Sequence, residues 1–213
     1  MNTIRLYAAG ALGSILLAAG CANTGSESGM QVSDAEVQQV ILASFKEKGQ
    51  AGMDRVKQSE LQKACSAAAL DPAGLPSATR TALEQAALSA VKYPADGKYL
   101  GDWKSGEKIA QTGVGLQFSD KPDTPAGGNC YACHQLAPQE LSYGNLGPSL
   151  YQYAKLRGRS EDIMKYTWAK IWNSPAYNAC SNMPRFGAEG ILTEAQLKDV
   201  MALLMAPDSP VNQ

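Results

Sequence analysis

One pentapeptide constrains this chain more than any other feature: Cys130-Tyr131-Ala132-Cys133-His134, which holds the only histidine in the sequence. Two cysteines separated by two residues and followed directly by histidine form the attachment pattern of a covalently bound c-type haem. The reason is geometric. Thiols at this spacing lie on one helical turn and can both form thioethers with the vinyl edge of one porphyrin, while the next imidazole reaches the iron. Two other chemistries use a Cys-x-x-Cys pair. Zinc would have to recruit the scattered Cys65, Cys180 or Cys21, and a dithiol redox motif belongs in a βαβ context that this sequence lacks. The expected cofactor is one haem c, attached through Cys130 and Cys133 with His134 as an axial iron ligand. A second attachment motif and bis-histidine ligation within the chain are excluded by the single histidine.

The chain has 213 residues, 45% of them hydrophobic and 18% charged, enough for one buried core and an extension. A net charge of -1 gives no basic excess for a nucleic-acid partner. Residues 1–20 read as a signal peptide, because Arg5 precedes an uncharged apolar run from Leu6 to Ala19 that is too short to span a bilayer. Export to a bacterial periplasm agrees with the haem motif, since c-type attachment is completed outside the cytoplasm, where disulfides also persist. The run ends Leu16-Leu17-Ala18-Ala19-Gly20-Cys21, which resembles a lipobox and predicts lipidation of Cys21, hence a lipid-anchored periplasmic protein. Ordinary signal-peptidase cleavage is the alternative, because Ala18 stands where leucine is more usual. Residues 21–33, rich in Ser, Gly and Asn, read as a flexible tether.

Residues 34–97 read as a helical N-terminal extension. Asp34 is the expected cap of a first helix with Val37, Val40, Ile41 and Phe45 on one face. A second helix is expected over Asp54–Ala69 with Val56, Leu61 and Ala64 inward, and a third from Ser77 carrying Leu83, Ala87, Leu88 and Val91. The segment carries no chemistry and reads as a buttress, with a partner-docking surface as the alternative. Residues 98–213 show an order of elements that resembles a class I cytochrome c: a helix capped by Asp102, the haem motif, Gly144-Asn145-Leu146-Gly147-Pro148-Ser149-Leu150, a helix capped by Ser160, and a last helix. Thr193 and Gln196 make a capping box for that last helix, and Leu197, Val200, Met201 and Leu204 form its apolar stripe. The expected fold class is therefore all-α, a class I cytochrome c domain with a helical extension. The resemblance implies that the last helix packs across the first helix of the domain, and that the carbonyl of Pro148 accepts a hydrogen bond from His134.

A second axial ligand is sought among the methionines. Met1 and Met30 are initiator and tether, while Met164, Met201 and Met205 lie in helical patterns where methionine fills cores. Met183 differs, because Asn182-Met183-Pro184-Arg185-Phe186-Gly187 reads as an irregular loop. His134/Met183 ligation favours ferrous iron, raises the potential and leaves no open coordination position, so electron transfer is the expected role. With the other thiols assigned, Cys65 and Cys180 remain in an oxidising compartment and are expected to pair, stapling the extension to the loop of Met183. A free buried cysteine or a reactive thiol is the alternative. Lys155, Arg157, Arg159, Lys165, Lys170 and Arg185 cluster in sequence and suggest a basic rim, or simply a solvated face.

The ligand loop, the segment Gly190-Ile191-Leu192-Thr193-Glu194-Ala195-Gln196-Leu197-Lys198-Asp199-Val200 and the tail Pro207-Asp208-Ser209-Pro210-Val211-Asn212 together resemble the SoxX family. The haem motif, the segment Gly144–Leu150 and the extension with Cys65 extend the resemblance over most of the mature chain. SoxX proteins are the monohaem subunits of the SoxXA cytochromes of bacterial sulfur oxidation. The resemblance implies a heterodimer with a SoxA-type cytochrome, acting as an L-cysteine S-thiosulfotransferase that joins thiosulfate to a cysteine of the SoxYZ carrier. It places the bond-making site on SoxA and no catalytic residue on this chain, whose haem would pass electrons to a small cytochrome c. A stand-alone class I electron carrier of the periplasm is the alternative.

Overall fold

Side-chain caps decide where most of the helices begin. The structure, a computed structural model, describes residues 32–213, so the signal-peptide and Cys21 readings lie outside it. Helix α1 (Asp34–Ser44) is opened by Ser33 in a reciprocal pair with Glu36, one residue before the expected cap Asp34. Ser59 and Gln62 form a full capping box at α2 (Glu60–Leu70), and this corrects the expected helix over Asp54–Ala69. The box needs Ser59 in extended backbone, which separates a short 3₁₀ turn at Met53–Val56 from α2. Helix α3 spans Ser77–Ser89, and α4 (Trp103–Gln111) starts where the Asp102 carboxylate accepts from the amides of Lys104 and Ser105. After a short α5 (Tyr153–Arg157), Ser160 caps α6 (Glu161–Trp172), and the Thr193–Gln196 box opens α7 (Glu194–Met205). Among the described residues there is no β-strand, only an isolated bridge between Lys48 and Ala51. None of their helices is long and apolar enough to cross a membrane.

The chain parts into two units between Val40 and Ile41. In the first, residues 32–40 are described, and Val37 and Val40 are exposed rather than inward. Phe45, expected on the same face, is exposed as well. The apolar residues of α1 are not gathered into one stripe, so no single face of it is fit to be buried.

The second unit is built round α7. Leu197 and every residue from Val200 to Met205 are buried, so this helix is covered on nearly all sides. Met201 and Met205, read as core fillers, are both fully enclosed. Helix α4 crosses α7 at a glycine: a Cβ on Gly106 would collide with the carbonyl of Asp199, so backbone meets backbone there. Gly101 N donates to the Lys198 carbonyl at 2.9 Å and Asp102 N to the Asp199 carboxylate at 2.8 Å, fixing the same crossing. Helix α6 contributes Trp168, Ala169 and Ile171, and Trp168 also stacks on Trp172 and meets Tyr99 edge-on.

Residues 41–97 belong to the same unit as residues 98–213, so position 97 marks a change of sequence character and not a separate body. Two sets of polar contacts make the join. Gln50 Nε2 donates to the carbonyls of Gly115, Gln117 and Asp120, and Arg55 donates to Leu116 O. Further on, Asn173 Nδ2 donates to Ala87 O at 2.8 Å, Trp168 Nε1 to Lys92 O at 2.8 Å, and the Glu84 carboxylate accepts from Ala179 N at 3.1 Å. The tail is stitched as firmly: Val211 is fully enclosed, and the Asn212 amide bonds Ala154 N, Leu204 O and Ala206 O.

Candidate functional site

The haem-type pentapeptide is shaped by backbone bonds on both sides. Asn129 enters it in the left-handed region at φ 45°, which asparagine tolerates better than most residues. The amides of Gly127, Gly128 and Asn129 donate to the carbonyls of Val114, Ile109 and Thr112, tying the approach to the end of α4. Cys130–Ala132 then form one 3₁₀ turn, and His134 N donates to Cys130 O at 2.9 Å. The downstream segment runs alongside: Gly144, Gly147 and Leu150 donate to the carbonyls of Tyr131, Cys133 and Gln135 at 2.8, 2.9 and 2.7 Å.

That pairing delivers Pro148 to the imidazole. His134 Nδ1 lies 2.7 Å from the Pro148 carbonyl oxygen. A carbonyl can only accept, so Nδ1 carries the proton and Nε2 keeps its lone pair for a metal. Gly147 is needed for the approach, because a Cβ there would collide with the His134 ring.

Cys130 and Cys133 are free thiols, both half-buried. Cys130 packs against the hydrophobic core, and burial pushes its thiol up to about 12. A redox Cys-x-x-Cys needs a depressed thiol, so this environment disfavours that reading. Among the described residues zinc has no further cysteine to recruit, because Cys65 and Cys180 are joined in a disulfide, S–S 2.06 Å. The donor set at the motif is then one imidazole of fixed tautomer and two available thiols on a single turn. It fits thioether attachment of a haem with His134 as axial ligand.

Met183 sits in irregular chain between Cys180 and Pro184, half-buried and packed on the same hydrophobic core that Cys130 touches. Its backbone is pinned from both sides: Met183 N donates to Ser181 Oγ at 3.2 Å, and the buried Ser174 hydroxyl donates to Met183 O at 2.5 Å. Met183 also lines a cleft of about 450 Å³ whose other walls include the Cys65–Cys180 disulfide, Gln62 of α2 and Arg185. Two groupings thus emerge, Cys130, Cys133, His134 and Pro148 in one, and Met183, Cys65 and Cys180 in the other.

The six basic residues do not form one free rim. Lys165 pairs with Glu161 at 2.6 Å, Arg185 with Glu189 at 2.8 Å, and Lys170 donates to Ser174 O. Burial holds the Lys170 ammonium below its ordinary range. Lys155, Arg157 and Arg159 are exposed, in and just after α5. Sequence reading passed over Gly147, Ser174 and Glu84, each of which holds a site segment in place. Gly147 carried a signal, a glycine directly before Pro148, but that pair alone reads as a turn.

No protein-family model matches this chain. Among curated proteins, an uncharacterized lipoprotein of Aquifex aeolicus (strain VF5) is 39% identical to it over 124 residues. The match covers 58% of this chain and 58% of that protein, so the chain spans less than two thirds of the relative's length.

Proposed function

We propose that this chain is the monohaem electron-transfer subunit of a SoxXA-type complex, with a class I cytochrome c domain carrying one covalently attached haem. The observation that carries the haem reading is the 2.7 Å bond from His134 Nδ1 to Pro148 O beside two free thiols of the same motif. The bound group would supply one-electron exchange. The protein's share is positioning. Pro148 O orients the imidazole and fixes the tautomer with Nε2 unprotonated, Cys130 and Cys133 give two covalent holds, and Met183 offers a thioether from a loop fixed by Ser174 and the disulfide. No residue of this chain makes or breaks a substrate bond in the proposal. Oxidative coupling of thiosulfate to the carrier cysteine takes place on the SoxA-type partner, and this chain passes the electrons to a small cytochrome c.

A lipid-anchored periplasmic location belongs to the same reading. It is supported by the lipobox-like sequence ending at Cys21 and by a relative whose name is that of a lipoprotein. The test is purification of the native complex in mild detergent, mass spectrometry of what co-purifies, and thiosulfate-dependent haem reduction with the carrier protein present. A stoichiometric second c-type cytochrome with thiosulfate-linked reduction is expected. A solitary monohaem protein silent to thiosulfate would overturn the SoxXA assignment and leave a stand-alone carrier.

A further inference from the structure

We propose that the Cys65–Cys180 disulfide is a reducible clasp, opened by thiol–disulfide exchange at Cys180, that fixes α2 over the cleft beside Met183. Topology carries the argument first. No residue of α2 is buried, so burial of its own side chains does not fasten it. Its capping box joins Ser59 to Gln62, and Gln58 Nε2 donates to Ser66 Oγ, contacts that stay inside the segment. The chain is anchored on both sides of it: by Gln50 and Arg55 on the carbonyls of residues 115–120, and by Glu84, Ala87 and Lys92 on residues 168–179. Helix α2 is a span between two moorings, and the disulfide is the covalent tie at its middle.

Access carries it second. Cys180 is exposed and Cys65 half-buried, and both line the open cleft of about 450 Å³. An attacking thiolate therefore meets Cys180 Sγ first. Gln58, Gln62, Ser66, Ser181 and Asn182 line that approach with amide and hydroxyl groups. Exposed disulfides are the labile and regulatory ones, whereas enclosed ones resist exchange.

The co-reactant is a dithiol protein. One of its thiolates attacks Cys180 Sγ, the Cys65–Cys180 bond breaks, and Cys65 sulfur leaves with the electron pair and takes a proton. The donor's second thiol then attacks its own sulfur in the mixed disulfide and releases Cys180 as a thiol. Two electrons and two protons pass to the chain, and the donor ends as a disulfide. Helix α2 swings from the cleft, and the turn Cys180–Met183 is left to Ser174, Ser181 and the Glu84–Ala179 contact. The consequence for iron ligation by Met183 rests on the function proposed above; the clasp itself does not.

The test uses the full-length protein as purified, without denaturant, exposed to reduced thioredoxin or to dithiothreitol. Alkylation with mass spectrometry reads Cys65 and Cys180, hydrogen exchange reads residues 60–70 and 180–183, and the far-red methionine-to-iron band of ferric protein reads ligation. Reduction is expected in native buffer, with exchange in residues 60–70 rising about tenfold or more while α6 and α7 are unchanged. The double variant Cys65→Ser/Cys180→Ser should show the raised exchange from the outset and no response to either reagent. Reduction by dithiothreitol but not by thioredoxin would overturn the protein dithiol as partner. Reduction only in denaturant, or reduction with exchange unchanged, would overturn the clasp. Exchange that rises while the far-red band is unaltered would leave the clasp standing and show that Ser174, Ser181 and the Glu84–Ala179 contact hold the Cys180–Met183 turn without it.

Discussion

Gly147 shows how much can depend on a missing side chain. A methyl group there would overlap the His134 ring, the same ring whose Nδ1 is bonded to the Pro148 carbonyl. Overpacking of this kind costs about 1–3 kcal/mol. The Gly147→Ala variant should unfold at correspondingly lower denaturant, and heteronuclear NMR of the sole imidazole should report loss of the Nδ1 hydrogen bond. An unmoved imidazole resonance would show that the ring tolerates the methyl. Asp102 is the second residue of this kind. Its carboxyl is held below the ordinary range by hydrogen bonds from the side chain and backbone of Ser105 and from Lys104 N. A depressed carboxylate stabilises the fold fully above the ordinary aspartate value, about 3.9, and loses that contribution as pH falls through its folded value. Acid unfolding should accordingly be shallower in Asp102→Asn, which keeps a capping oxygen but has no proton to gain. Equal acid profiles for the two proteins would remove Asp102 from the account.

At the scale of elements, the crossing of α4 on α7 is the contact most sensitive to sequence. Alanine in place of Gly106 would gain about 1 kcal/mol in helix propensity. It would also push a methyl into the Asp199 carbonyl and the Leu203 side chain. The overpacking term, about 1–3 kcal/mol, exceeds the propensity gain, so Gly106→Ala should be destabilising in chemical unfolding. The disulfide joins elements 115 residues apart. For a loop of that length the chain-entropy model assigns about 5 kcal/mol, an upper figure from which strain subtracts. Cys65→Ser should lower the unfolding free energy by up to that amount, and no loss in denaturant titration would mean that the oxidised unfolded state is no more restricted than the reduced one. Helices with a cap and a periodic stripe were legible in advance: α7 follows its stripe because Leu197, Val200, Met201 and Leu204 had one consistent period. The breaks were harder. Ser59 looks like an ordinary helix-interior serine until Gln62 reaches back to it, and the apolar residues of α1 do not gather into the single face that Val37, Val40, Ile41 and Phe45 suggested.

For the molecule as a whole, the motif was legible because its residue types stand at a fixed and recognisable spacing in the sequence. Met183 could be singled out because its loop lacked helical periodicity. The supporting contacts were not legible, since Asn173 to Ala87, Glu84 to Ala179 and Gln50 to the carbonyls of residues 115–120 join positions far apart in sequence by side chains of unremarkable type. Such pairs obey no local period. The enclosed tail has a further consequence, in time rather than space. Val211 and Asn212 complete the packing of α5 and α7, and α7 is itself the helix on which α4 must close. A chain emerging from its amino end therefore presents the thiols of Cys130 and Cys133 well before the residues that finish the core have appeared. On the haem reading proposed above, modification of those thiols would have a window set by the order of emergence, with closure of the core waiting for residues 210–212.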